Sequence, residues 1–467
     1  MYSLHHLLLI AFFGLALINT PLASAAPTDN PSADAPNLTS PGDNHQPNII
    51  VLLVDTLRLD HTSLTDYSRN TTPNLKEFSE QAYLFPNAKA QSSWTLASVS
   101  SILTGQYPFH HGMNAEPDHG PDDYQLTGTL VGAFNHNTDY HTLALLRNYI
   151  TKYLVGDFRE KIYHTNLDPD STHSDASAVD EAIDWIADWR DNENFFMFLA
   201  LLNPHWPYNW SLNETNHFAD YLSDDTYLNH DPTLLSLIDL TPVGRLTYTD
   251  IPPNIRWKFD APNNKAAAYQ EDGIYIAAYD AEIRYADSQV GKLMNHLKKL
   301  GVYDKSMIVI LADHGELMTE QADASAFSHG DHLYNAELSV PFMIKFPHQT
   351  SQQVIEPMVR TMDLLPTLLD YLGVEIDTSE LDARSLMPIL RGERVNYDER
   401  PIISSTELEG TKISIYKNGM HLINYVEEGT FKLFDINEDP LEHNNLADSQ
   451  PELRDSLWKT LCKYYCE

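Results

Sequence analysis

The sequence predicts an α/β fold: a large, mostly parallel sheet sandwiched by helices, followed by a smaller C-terminal antiparallel sheet. Three observations carry this. The apolar runs Ile49–Val54, Phe195–Leu202 and Met307–Ala312 are unbroken, as in strands buried on both faces of a parallel sheet. Helical patterns alternate with them. The last hundred residues change character: "TKISIYKNGMHLINYVEEGTFKLFDI" reads as three short strands, joined by Asn418-Gly419 and by Glu427-Glu428-Gly429. Asn-Gly is a strong hairpin signal.

In chain order, residues 1–25 read as a signal peptide. The apolar run 7–18 is too short to span a bilayer, and "ASA" at 23–25 offers small residues for cleavage before Ala26. The protein is therefore expected to be exported, periplasmic or secreted. Residues 26–46 are rich in Pro, Asp and Asn without periodicity and read as a disordered linker. An α/β domain is expected over 47–375 and a small α+β subdomain over 376–467. "SSWTLASVSSILTG" is a loop feeding a short helix that stops at Gly105. "SDASAVDEAIDWIADWR" places Val179, Ile183, Ile186 and Trp189 on one helical face, capped by Ser174 or Asp175. A longer helix ends at Gly301. "DLLPTLLDYLG" has Asp363 as N-cap, Pro366 in the first turn and Gly373 at the stop.

The chain has 467 residues and a formal charge of −36, from 66 acidic and 30 basic residues. That excludes nucleic acid and anionic membranes as main partners. No stable membrane insertion is expected. An acidic surface would also repel an anionic substrate unless salt screens it; screening shortens from ~10 Å at 0.1 M to ~3 Å at 1 M. A saline habitat and a surface kept acidic for solubility both fit. The two cysteines, Cys462 and Cys466, could pair or stay as thiols, and neither lies in the body of the chain.

The three apolar runs end in Asp55, in Asn203-Pro204-His205 and in Asp313-His314. In open α/β sheets, ligands bind outside the carboxyl ends of the strands. Carboxylates and an imidazole from separate strands can hold one divalent cation, which acidifies a bound hydroxyl and offsets charge on the group being transferred. Thr95 stands where the short helix begins, and a helix N-terminus favours an anion. Taken alone, Thr95 reads as a plain N-cap.

Six segments in order then resemble the sulfatases of the alkaline-phosphatase superfamily. They are "PNIIVLLVDTLRLDH" with its continuation to "SSWTLASVSSILTG", "NPHWPY", "YDAEIRYADSQVGKLMNHLKKLGVYDKSMIVILADHGE", "SHGDHLYNAELSVPFMIKFP", "DLLPTLLDYLG" and "FKLFDINEDPLEHNNLA". The resemblance implies an alkaline-phosphatase-like fold and a catalytic domain at 47–375. It implies Asp55, Asp313 and His314 as metal ligands, and His205 and His329 as contacts to the anionic group or leaving oxygen. Arg58 lies near the first ligand and receives no role. His110-His111 read as loop residues, and Asp331 and His332 as weaker ligand candidates.

The family nucleophile is a Cys or Ser in C/S-x-P-x-R, oxidised to formylglycine. Thr95 stands at that position here, with Ala97 for the Pro and Val99 for the Arg. The second Asp of the family's Asp-Asp pair is Thr56, and no Lys-Trp-His segment is apparent; "YHTLALLRN" occupies that region. Threonine is the nucleophile in superfamily relatives that act on phosphorus. The expectation is one metal held by Asp55, Thr95, Asp313 and His314, with Mn²⁺ or Zn²⁺ favoured over Ca²⁺. The expected reaction is hydrolysis of a sulfuric or phosphoric ester through direct attack by Thr95, with His205 or His329 as general acid. The substrate would be a small anionic ester or a sulfated or phosphorylated glycan. The alternatives are a phosphotransferase acting on an envelope glycan and a non-catalytic binder of anionic glycans.

Overall fold

The computed structural model describes residues 38, 46–114, 129–163, 174–189, 194–206, 208 and 272–466, apart from 322, 325–326, 376, 380 and 396–399. The expected signal peptide lies outside these residues, as does nearly all of the expected linker. No helix among the described residues is long and apolar enough to cross a membrane.

Fourteen strands are described: β1 Ile49–Val54, β2 Tyr83–Leu84, β3 Ala88–Lys89, β4 His141–Leu146, β5 Glu160–Tyr163, β6 Phe195–Leu201, β7 Met307–Ala312, β8 Phe342–Lys345, β9 Gln353–Val354, β10 Val359–Arg360, β11 Ile402–Thr406, β12 Lys412–Lys417, β13 Met420–Tyr425 and β14 Thr430–Asp435. The main sheet has the order β5-β4-β6-β1-β7-β8-β2-β9. From β5 to β7 all neighbours are parallel, and β8 enters antiparallel. The three apolar runs are thus the three central strands, in the spatial order β6, β1, β7.

Alternation explains why these runs are apolar throughout. Ile50, Leu52 and Val54 enter one core with Met197, Leu199, Ile308 and Ile310. Ile49, Val51 and Leu53 enter the core on the opposite face with Phe196, Phe198, Val309 and Leu311. Every residue of β1, β6 and β7 is buried. Burying one such side chain is worth about 1.5–3 kcal/mol, so a polar residue anywhere in these strands would be costly.

Helices cover both faces. Asp175–Asp188 starts at Ser174, whose hydroxyl accepts from Ser177 N–H in a capping box. It packs with the long helix Asp272–Lys299 on the first core. Leu364–Leu372 lies on the other and stops at Gly373, which is left-handed at φ +72°. Asp363 precedes this helix but does not cap it. Its carboxylate pairs instead with the buried Arg360 guanidinium.

The C-terminal sheet is antiparallel in the order β11-β12-β13-β14 and packs against the helix Pro451–Tyr465. The sequence reading had its last three strands; β11 adds a fourth. β11 also docks on the main body. Ser405 N–H donates to Gln91 O at 2.9 Å, and Ser404 Oγ donates to Ala90 O at 2.6 Å. This braces the segment that leads into Thr95. Cys462 and Cys466 are joined across one turn of the final helix, so the bond closes four residues and ties nothing to the body.

Candidate active site and metal centre

β1 delivers Asp55 into a turn whose next residue, Thr56, has φ +53°. A β-branched residue is rarely left-handed. Tyr279 of the long helix holds the turn: its hydroxyl donates to Thr56 O at 2.6 Å and accepts Arg58 N–H at 3.0 Å. The turn presents Thr56 N–H to Asp313 Oδ1 at 3.3 Å. Arg58 is fully buried, paired with Asp60 at 2.7 Å and Glu320 at 2.6 Å and donating to Glu316 O. It clamps the loop after β1 to the loop after β7.

β7 delivers Asp313 and His314. Gly315 follows because the chain passes against Ala336; a Cβ at that position would lie 2.2 Å from Ala336 O. The helix Thr95–Thr104 is buried at every residue and ends at the left-handed Gly105. Ser98 Oγ donates to Asp313 O at 2.6 Å and fixes the helix against the end of β7. Thr95 is the first helical residue and not the N-cap; that position is Trp94. Its hydroxyl therefore leaves the backbone uncapped and lies 3.1 Å from His314 Nε2.

Asp55, Asp313 and His314 form a cluster whose candidate ligand atoms all lie within 4.8 Å of one another. His314 Nε2 is 3.8 Å from Asp55 Oδ1 and 3.6 Å from Asp313 Oδ2. Both of these carboxylate oxygens are buried and accept no hydrogen bond among the described residues. His314 Nδ1 donates to Gly315 O at 2.8 Å, which leaves the Nε2 lone pair facing the carboxylates. Burial, then the Asp313 charge, pushes the Asp55 carboxyl well up. Burial pushes Asp313 up to about 7 and His314 well down. Two orphaned carboxylate oxygens, an imidazole lone pair and a hydroxyl thus converge without a positive charge among them. That donor set fits a divalent cation.

Beside it, the His329 ring lies 4.7 Å from both the His205 ring and the His314 ring. His329 Nδ1 lies 2.9 Å from Glu316 Oε1, and Glu316 is fully buried. Burial opposes the charged imidazole, but the Glu316 carboxylate overrides it, so the His329 pKa is raised. His205 goes the other way. Burial and the nearby His329 lower it to about 4, and its Nδ1 contacts Trp206 O. Its approach is fixed by the buried Asp175, which accepts Leu202 N–H and Asn203 N–H at 3.0 Å each and pairs with Arg147.

All six site residues singled out in the sequence, Asp55, Thr95, His205, Asp313, His314 and His329, therefore lie at one edge of the sheet. Asp331 and His332 do not join the ligand cluster. His111 props the far end of the Thr95 helix through Ser101 Oγ at 3.0 Å, and His110 pairs with Asp382. Sequence reasoning passed over Glu316, although it stands in the "ADHGE" it quoted. It also passed over Asn148, whose Nδ2 donates to Asp55 Oδ2 at 2.6 Å. Asn148 follows "TLALL", the apolar run that forms β4, so the strand-end rule applied to the other three runs would have found it.

The family model described as "Sulfatase" matches residues 47–374. The chain belongs to the sulfatase family. A second model, "N-sulphoglucosamine sulphohydrolase, C-terminal", matches residues 327–465. This family member is 24% identical to an N-acetylglucosamine-6-O-sulfatase of Bacteroides thetaiotaomicron, over 90% of this chain and 87% of that one. Its fold matches a structure solved in complex with its substrate D-glucosamine-2-N,6-O-disulfate, with a TM-score of 0.69, 19% identity, and 90% and 97% of the two chains covered. It also matches a phosphonate monoester hydrolase of Agrobacterium radiobacter, with a TM-score of 0.66, 17% identity, and 90% and 95% coverage.

Proposed function

We propose that this sulfatase-type protein is an exported, metal-dependent hydrolase that cleaves a sulfuric ester by direct attack of Thr95. The observation that carries the mechanism is the Thr95 hydroxyl: it is 2% exposed, free of any capping duty, and 3.1 Å from His314 Nε2 at the mouth of the ligand cluster. Asp55, Thr95, Asp313 and His314 would hold one cation, Mn²⁺ or Zn²⁺ in preference to Ca²⁺. When bound, the cation would acidify the hydroxyl beside it and offset charge on the transferred group. Export rests on the signal-like residues 1–25.

The chain's own groups supply the rest. The Thr95 hydroxyl gives up its proton to solvent, and its oxygen bonds to sulfur while the bond from sulfur to the leaving oxygen breaks. His329, whose pKa the Glu316 carboxylate raises, gives its Nε2 proton to that oxygen. His205 is neutral at pH 7 and serves as a hydrogen-bonding wall. Water then attacks the sulfur, the bond from sulfur to the Thr95 oxygen breaks, neutral His329 takes the water's proton, and the Thr95 oxygen recovers a proton from solvent. Position 95 is a secondary alcohol and takes part without conversion to formylglycine.

The substrate reading is a sulfated sugar or another small anionic ester, supported by the sulfated-sugar names of the relatives above. Thr95 favours a second reading, a phosphoric ester. A threonine ester has no second hydroxyl through which to expel its anion, so water must attack the central atom. The test is a paired screen of the full chain with an aryl sulfate, a phosphate monoester and a phosphate diester, each with Mn²⁺ and with Zn²⁺. Turnover of the aryl sulfate is expected. Turnover confined to phosphorus moves the protein to the second reading, and none on any substrate leaves only a binding role.

A further inference from the structure

We propose that Asn148 is a positioning residue that sets the denticity of Asp55, and through it the choice of metal. The inference rests on the metal site proposed above. Each carboxylate in the cluster has one oxygen engaged by the protein and one left open. Asp313 Oδ1 accepts His314 N–H at 2.9 Å and Thr56 N–H at 3.3 Å. Asp55 Oδ2 accepts Asn148 Nδ2 at 2.6 Å. The remaining oxygens, Asp55 Oδ1 and Asp313 Oδ2, are the two that face His314 Nε2.

The orientation of the Asn148 amide is fixed from its other end. Its Oδ1 accepts Ile150 N–H at 3.0 Å, where the residue caps a short 3₁₀ turn, so Nδ2 is the atom left to meet Asp55. Asn148 is 7% exposed, and its backbone carbonyl accepts Thr151 Oγ1, which holds the turn. The donor is thus locked on Asp55 from a different strand of the sheet.

The consequence is a count of ligand atoms. With Oδ2 engaged, Asp55 gives one oxygen, and the chain offers four atoms in all: two carboxylate oxygens, one imidazole nitrogen and one hydroxyl. Ca²⁺ takes six to eight oxygens and commonly grips a carboxylate through both. Mn²⁺ and Zn²⁺ accept fewer ligands and tolerate imidazole. Freeing Oδ2 would loosen Asp55 and let it bind through both oxygens, so the preference for the smaller ions should shrink.

The experiment measures binding, not turnover. The full chain is stripped of metal, and Mn²⁺, Zn²⁺ and Ca²⁺ affinities are measured by calorimetry for wild type, Asn148→Ala and Asn148→Ser. Asn148→Ser keeps an oxygen for Ile150 N–H and so preserves the turn, while its shorter side chain withdraws the donor from Asp55 without adding a charge. Loss of a partner that orients a metal ligand typically costs 10–100-fold in affinity. Asn148→Ala is therefore expected to lose about that much for Mn²⁺ and Zn²⁺. In both variants the Mn²⁺-to-Ca²⁺ affinity ratio should fall about tenfold or more. Mn²⁺ and Ca²⁺ affinities that drop equally in Asn148→Ser would overturn the denticity argument. A variant matching wild type on all three ions would overturn the positioning role itself. A wild type that binds none of them overturns the metal site, and this inference with it.

Discussion

Replacing Thr95 separates a nucleophile from a structural hydroxyl by orders of magnitude. If the hydroxyl only filled its place, Thr95→Ala would lose one buried hydrogen bond, to His314 Nε2, and one methyl from the packed helix. A hydrogen bond nets about 0.5–1.5 kcal/mol of stability and a buried methyl about 0.8 kcal/mol, so even if the whole loss fell on the site, activity should drop by no more than about 10–50-fold. No cap would be lost, because Trp94 holds that position. If Thr95 attacks the ester, the loss should resemble other nucleophile deletions, on the order of 10⁶-fold. Thr95→Ser keeps the oxygen but frees χ1, which β-branching restricts, at a cost of about threefold to tenfold. The assay is kcat/KM on the substrate that the screen selects, with intact-mass detection of a sulfo- or phospho-enzyme. Expected are a near-inactive Ala variant with no adduct and a Ser variant that keeps both activity and adduct. An Ala variant within about 50-fold of wild type would refute direct attack.

Two further substitutions probe the neighbouring groups. Asp313→Asn should remove most bound metal and most activity together, because it replaces an anionic ligand in a four-atom set; elemental analysis showing undiminished metal would count against the assignment. Glu316→Gln removes the charge that holds the His329 pKa up, so the alkaline limb of the rate profile should move to lower pH. A raised folded-state pKa also means that the His329–Glu316 pair adds stability at low pH and loses it as pH climbs through that value. A Glu316→Gln profile superimposable on wild type would remove His329 as the acid.

How much of this was legible in the sequence follows from where the information resides. The central strands could be read because burial on both faces forces an unbroken apolar run, and β1, β6 and β7 are such runs. β2, β3, β9 and β10 could not be read, because two-residue strands carry no period. Asp55, Asp313 and His314 were legible as polar residues that abruptly end apolar strands. The difference between His205 and His329 was not, since it depends on Glu316 facing one ring and a backbone carbonyl facing the other. The helix at 95 was legible with its Gly105 stop, but the position of Thr95 one residue inside it was not. That single residue turns the hydroxyl from the backbone toward His314. Asn148 shows the same limit at a strand end: its residue type said nothing, and its meaning lies in a hydrogen bond across 93 positions of sequence.

These arrangements make the site a place where the fold opposes itself. Burial alone would protonate Asp55 and Asp313, as their raised pKa values record. A carboxyl that binds its proton more tightly when folded lowers stability as pH rises from its unfolded value toward its folded one. The chain nevertheless commits several hydrogen bonds to holding these groups together. Asn148, Thr56 N–H and His314 N–H occupy the outer oxygens, while the inner pair is left without a donor. A donor aimed at the inner oxygens would have relieved the strain at once, yet none is supplied. Groups kept close, dry and unneutralised at a cost to the apo fold are those whose compensation comes from outside the chain. A cation that binds only the folded state returns that cost as affinity. The same reasoning ranks the two histidines. His329 Nδ1 meets the Glu316 carboxylate, which raises its pKa, whereas His314 Nδ1 meets the Gly315 carbonyl, which leaves the Nε2 lone pair facing Asp55 and Asp313. In the proposed mechanism two rings 4.7 Å apart thereby take opposite roles, one as proton donor and one as ligand.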